Sequence, residues 1–185
     1  MKETKDSKVL QDENGKMQFD FSNAFDVFIP HELASMYSDY LSDVDFVIEE
    51  KERLICLEYK NSNIRNAADP EAFQRKITEE QFWKKAAKKF YGTVFLIWAC
   101  NRNQSEKPIQ YILLLETNPS MDSALKKRFT VKMMNQLPFL YKNKTEIKRK
   151  VIDEFILADL KEWNERYPQY PIYEVEGIKQ RRDTE

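Results

Sequence analysis

Residues 42–62 read SDVDFVIEEKERLICLEYKNS. Two β-rich apolar runs, 44–48 and 54–59, flank a short charged turn. Each carries a carboxylate where a strand is usually apolar: Asp45 in the first, Glu58 in the second, with Lys60 two residues on. Side chains alternate faces along a strand, so Asp43 shares a face with Asp45, and Glu58 with Lys60. A tight hairpin centred on Lys51 and Glu52 sets Asp45 directly opposite Glu58, with Cβ atoms roughly 4.5–5.5 Å apart. Opposed like charges are unfavourable, and burial makes them worse. A hard divalent cation compensates well, because Mg²⁺ takes one or two carboxylates and keeps several waters. Lys60 can then hold an attacking water or neutralise negative charge growing on a phosphate. The combination suits phosphodiester hydrolysis.

Spacing alone does not single this pair out. Glu-x-Lys occurs at Glu3–Lys5, Glu49–Lys51, Glu58–Lys60 and Glu146–Lys148, in a chain that is 33% charged. Context separates them. The first lies in a polar arm, the second in the turn, and the fourth in a helical pattern. Only LICLEYKN places the pair at the end of an apolar strand behind an acid-bearing partner.

Composition removes other chemistries. His31 is the only histidine, which excludes histidine-rich zinc sites and two-histidine RNA cleavage. Neither GxxxxGK[ST] nor GxGxxG occurs, so phosphate-loop chemistry has no support. Hydrolysis must therefore run on carboxylates, lysine and a hard cation. The 185 residues fit one domain with a sizeable core, and 42% hydrophobic content argues for a folded chain. No apolar run reaches the ~20 residues of a membrane span, and the charged, polar start does not resemble a secretory signal. Cys56 and Cys100 lie in apolar, strand-like runs and read as buried, reduced thiols. A cytoplasmic protein is expected.

The elements that must position the acids follow from pattern. Residues 1–16 read as a mobile arm, and 16–21 as a short strand. Pro30 opens a helix over 30–41. After the hairpin, Asp69 and Pro70 cap and start a helix to Phe90, with Phe73, Ile77, Phe82, Ala86 and Phe90 on its apolar side. TVFLIWAC (93–100) and IQYILLLE (109–116) read as strands covered on both faces. Residues 121–137 and 145–167 read as helices, making 121–185 a helical C-terminal extension of a single domain over 1–185. The order predicts an α/β fold around a small central mixed sheet flanked by helices.

The residues DVDFVI and LICLEYKNS resemble the core of the PD-(D/E)XK, or restriction-endonuclease-like, nuclease superfamily. That resemblance implies an αβββαβ core, an acid on one strand and (D/E)-x-K on the next, Mg²⁺ or Mn²⁺, and cleavage of DNA or, less often, RNA. It assigns catalysis to Asp45, Glu58 and Lys60. It assigns the metal to Asp45, Glu58 and the Tyr59 backbone carbonyl, with Glu32 as a further acid on the preceding helix. The proline of the family name is absent, and Asp43 rivals Asp45 for the metal.

Charge is uneven although the formal net charge is −1. Residues 126–150 carry nine lysines and arginines against one acid, Glu146. Lys84, Lys85, Lys88 and Lys89 crowd the helix after the hairpin. Such surface can contact phosphates despite a nearly neutral total. Lys84, Lys85, Lys126, Lys127 and Arg128 are the candidate nucleic-acid contacts, and Gln74 and Gln81 are candidate helpers at the site. The expected partner is nucleic acid, DNA ahead of RNA, with no membrane; a homodimer or a protein partner stays open. The alternative to a nuclease is a non-catalytic protein that uses a nuclease-like fold to bind nucleic acid or a protein.

Overall fold

In a computed structural model of the chain, residues 8–12, 14–36, 41–61, 72–143 and 145–175 are described. The expected cap at Asp69 and Pro70 and the far end of the expected 30–41 helix lie outside them.

A mixed five-stranded sheet organises the molecule. Its strands are β3 (Asp26–Phe28), β4 (Phe46–Glu49), β5 (Leu54–Asn61), β6 (Ile109–Glu116) and β7 (Glu154–Ala158), side by side in that order. β4 is antiparallel to both of its neighbours, β3 and β5, whereas β5–β6 and β6–β7 are parallel. A shorter sheet joins β1 (Val9–Gln11), β2 (Met17–Asp20) and β8 (Ile172–Glu174) in the order β1–β2–β8. The helices are α1 (His31–Ala34), α2 (Ala72–Thr78), α3 (Glu80–Ala99), α4 (Ser123–Met134) and α5 (Leu160–Arg166).

Alternation along the central strands builds two cores. Val47, Leu54, Cys56, Leu113 and Phe155 face α3 and α4, where they meet Trp83, Phe90, Val94, Phe129 and Met133. Phe46, Ile48, Ile55, Leu57 and Ile112 face the short sheet and α5, where they meet Phe19, Phe21, Trp163, Tyr167 and Ile172. Helices thus cover one face, and a second sheet with one helix covers the other. The expected α/β class holds. The flanking layers are not both helical.

Several elements differ from their expected form or place. TVFLIWAC is not a strand: its first seven residues are the last part of α3 and Cys100 is the cap. Within it Thr93, Val94, Leu96 and Ile97 are buried while Phe95 and Trp98 are exposed, a helical rhythm that continues the buried positions Trp83, Ala86, Ala87 and Phe90. Residues 145–167 are not one helix. Phe155 and Leu157 pack on the helical side, and Ile156 packs against the opposite core. This period-two pattern makes β7, so the stretch 121–185 is not wholly helical. Within the expected arm, β1 pairs with β2 and the Lys8 ammonium donates to the carbonyls of Ala24 and Phe25 at 2.6 and 2.9 Å. α1 also lies between the first and second strands of the central sheet rather than before them. No helix among the described residues is long and apolar enough to cross a membrane.

Candidate active site

The hairpin register sets the site. Phe46 pairs with Leu57 and Glu49 with Leu54, so continuation by one residue places Asp45 across from Glu58. There the strand pairing gives way to a side-chain contact: Asp45 Oδ2 accepts the Tyr59 N–H at 2.7 Å. Asp45 thereby takes the place of a backbone partner at the end of β4. Its position is held by α3. The Val44 N–H donates to Thr93 Oγ1 at 2.9 Å, and Gly92 lets the helix touch the chain at Ser42, whose carbonyl oxygen would lie 2.0 Å from a Cβ at position 92.

Glu58 and Lys60 lie on the β5 face that looks toward α3. Glu58 is 1% exposed. Lys60 Nζ is 2.7 Å from Glu58 Oε1. The second cation was not placed here by the sequence pattern: Lys89, on α3, holds Nζ 2.8 Å from Glu58 Oε1, 3.0 Å from Oε2 and 3.9 Å from Asp45 Oδ1. Two acids and two ammonium groups form one cluster, with Asp45, Lys60 and Lys89 half-buried and reaching solvent. Burial first, then the neighbouring Asp45 carboxylate, pushes the Glu58 carboxyl above the usual range, against the pull of Lys60 and Lys89. Burial lowers the Lys60 ammonium, but Glu58 and Asp45 outweigh it and hold that group above its ordinary value.

The remaining candidates fall elsewhere. Asp43 turns to His31, with Oδ2 3.4 Å from Nδ1, so it does not share the Asp45 cluster. Glu32 is exposed on α1 and takes no part in the ion pairs around Glu58. Gln74 donates to the Asn118 carbonyl at 3.1 Å, and Gln81 is exposed. Lys84 pairs with Glu80 one turn earlier on α3 at 2.8 Å, and Lys85 is exposed. Lys126 pairs with Glu162, while Lys127 and Arg128 are exposed on α4. Cys56 is buried as expected; Cys100 is exposed, because it caps the end of α3 instead of sitting in a strand.

No group of three or more histidine, cysteine or acidic side chains converges on a metal position among the described residues. The donor set here is smaller, the Asp45 and Glu58 carboxylates, with the Lys89 ammonium between them and that of Lys60 on Glu58. That arrangement still fits a hard cation, because positive charge already sits between Asp45 and Glu58 and Mg²⁺ can complete its shell with water. No family model matches the chain, and neither does any curated protein or solved structure.

Proposed function

We propose that this chain is a metal-dependent nuclease of the PD-(D/E)XK type, with a restriction-endonuclease-like core, that hydrolyses phosphodiester bonds, DNA being the first substrate to test. One observation carries the reading: Asp45 and Glu58, from adjoining antiparallel strands, hold a single cationic group between them, with Lys60 on the same carboxylate. The strand order supports it, since three antiparallel neighbours lead through α3 to a parallel fourth. Asp45 and Glu58 would hold Mg²⁺ or Mn²⁺. The Tyr59 carbonyl can join them: the N–H and C=O of an extended residue point to the same strand edge, and the Tyr59 N–H points at Asp45. The metal would supply Lewis acidity and an activated water. Lys60 would stabilise charge developing on the phosphate. Burial of Glu58 keeps its carboxylate fixed, and α3 fixes Asp45 through Thr93 and Gly92.

A second reading has its own observation. With Lys60 and Lys89 present, the cluster contains equal positive and negative charge, so it is satisfied without a metal. This favours a non-catalytic protein that uses the fold to bind nucleic acid or a protein.

A Mn²⁺ titration, run beside a nuclease assay on single- and double-stranded DNA and RNA, separates the two. For the nuclease, Asp45→Asn is expected to weaken metal binding and abolish cleavage while keeping the fold. Lys60→Ala should still bind metal but lose turnover, ~10²-fold or more, as for removal of one preorganised electrostatic group. Wild-type protein that binds no divalent ion and cuts none of these substrates would establish the non-catalytic reading. Cleavage that survives both substitutions would place the active site outside the hairpin.

A further inference from the structure

Lys60 and Lys89 do not occupy equivalent positions. Lys60 belongs to β5, two residues beyond Glu58, and pairs with Glu58 Oε1 at 2.7 Å. Lys89 reaches from α3 and is the one of the two that faces both acids, touching both oxygens of Glu58 and approaching Asp45. Its backbone is fixed: within the next turn, Gly92 and Thr93 pin α3 to residues 42 and 44. The ammonium therefore lies where a cation bridging the acids would lie, on a side chain with four flexible carbons and 30% exposure. A divalent ion and an ammonium cannot both occupy that position, because the same lone pairs serve both and their charges repel at contact distance.

We propose that Lys89 is the resident counter-cation of the acidic pair: it competes with a divalent ion for Asp45 and Glu58, and metal binding requires its ammonium to swing outward. The proposal rests on the metal reading of the site. Lys89 is thus a positioning residue. In the metal-free protein it keeps two carboxylates together that would otherwise repel across the hairpin. On exchange, one positive charge moves toward the open side of the site, where a substrate phosphate would approach.

The test is Mn²⁺ affinity of the full chain, measured by calorimetry without nucleic acid. The proteins are wild type, Lys89→Met, Lys89→Gln and Lys89→Arg, each checked for its fold by circular dichroism. Lys89→Gln keeps a neutral donor to Glu58 and guards against a misfolded Lys89→Met. Expected is a gain in affinity of ~10-fold or more when the competing charge is removed, in Met and Gln alike, with Lys89→Arg close to wild type. Folded Met and Gln variants with unchanged or weaker affinity, beside a wild type that binds, would overturn the competition and leave the metal reading standing. Binding by those variants alone would support the competition and overturn the nuclease reading of the wild type. Binding by none of the proteins would overturn both.

Discussion

Glu58 is a costly choice for its position. Leu57 and Tyr59 flank it and Cys56 precedes it, all buried, so an apolar side chain would pack there. A buried ion pair rarely stabilises more than the apolar residues that could replace it. An acid kept at such a position, with two cations arranged around it, therefore points to a job in binding or chemistry. That acid was legible in the sequence, because strand alternation and a two-sided hairpin fix its face and its partner without knowledge of the rest of the fold. Lys89 was not, because its relation to Glu58 depends on how α3 lies across the sheet. The cysteines show the same division. Cys56 has no exposed surface, and burial pushes its thiol from 9.0 up to about 12. Cys100 is exposed at the helix end. Native protein at pH 8 should release one equivalent of colour from an aromatic disulfide reagent, and the second only on unfolding. Two equivalents from folded protein would contradict the burial. Linkage gives a second readout. Between pH 9.0 and about 12 the unfolded thiol ionises while the folded one keeps its proton, so stability falls as pH rises through that window. Cys56→Val should show a shallower decline there than wild type.

α3 does more for the site than any other helix. It carries Lys89, pins the entry to β4 and supplies Trp83, Phe90, Val94 and Ile97 to the core. Its second half misleads when read alone: TVFLIWAC has the β-branched and aromatic content of a strand, and a short apolar run does not declare its period. Tertiary contact decides the matter through Gly92. In an exposed helix, Gly→Ala stabilises by up to about 1 kcal/mol. Here the added methyl would meet the Ser42 carbonyl oxygen at 2.0 Å, and backbone cannot give way as a flexible side chain can. Overpacking of this kind costs about 1–3 kcal/mol, so the steric term reverses the sign. Gly92→Ala is expected to unfold at lower denaturant and to displace Asp45, weakening any metal binding as well. A variant as stable as wild type would show that residue 42 is not seated on the helix. β7 hid behind a similar ambiguity, since its five residues adjoin a true helix. The start of that helix was nevertheless written in the chain: Asp159 accepts the Glu162 N–H at 2.8 Å while the Glu162 carboxylate accepts the Asp159 N–H at 3.0 Å, a capping box.

Over the whole molecule, charge is the property that the sequence locates least well. Nine cations fall within 126–150, yet contacts from distant parts of the chain use several of them. Lys126 pairs with Glu162, Arg149 with Glu106 at 2.9 Å, and Lys132 donates to the Thr78 carbonyl at 3.0 Å. Lys127 and Arg128 stay exposed on α4, whose Phe129 and Met133 pack in the same core as α3. This basic surface therefore lies on the sheet face that carries Glu58 and Lys60. If the chain holds nucleic acid there, affinity must fall with salt, because each neutralised phosphate releases condensed counterions, with a slope of about −0.9 per contact on duplex DNA. Neutralising both Lys127 and Arg128 should flatten that slope by roughly one to two contacts. Lys126→Ala should change it less, because the Lys126 ammonium already serves Glu162, and its loss is expected to appear instead as reduced stability around the start of α5. Filter binding of a DNA duplex across a salt series, with Ca²⁺ in place of Mg²⁺ to hold back cleavage, measures the slopes. Equal slopes for wild type and the Lys127/Arg128 variant would remove α4 from the nucleic-acid surface. An equal loss from Lys126→Ala would show that nucleic acid draws Lys126 away from Glu162, and that the surface extends along the helix toward the ends of β6 and β7.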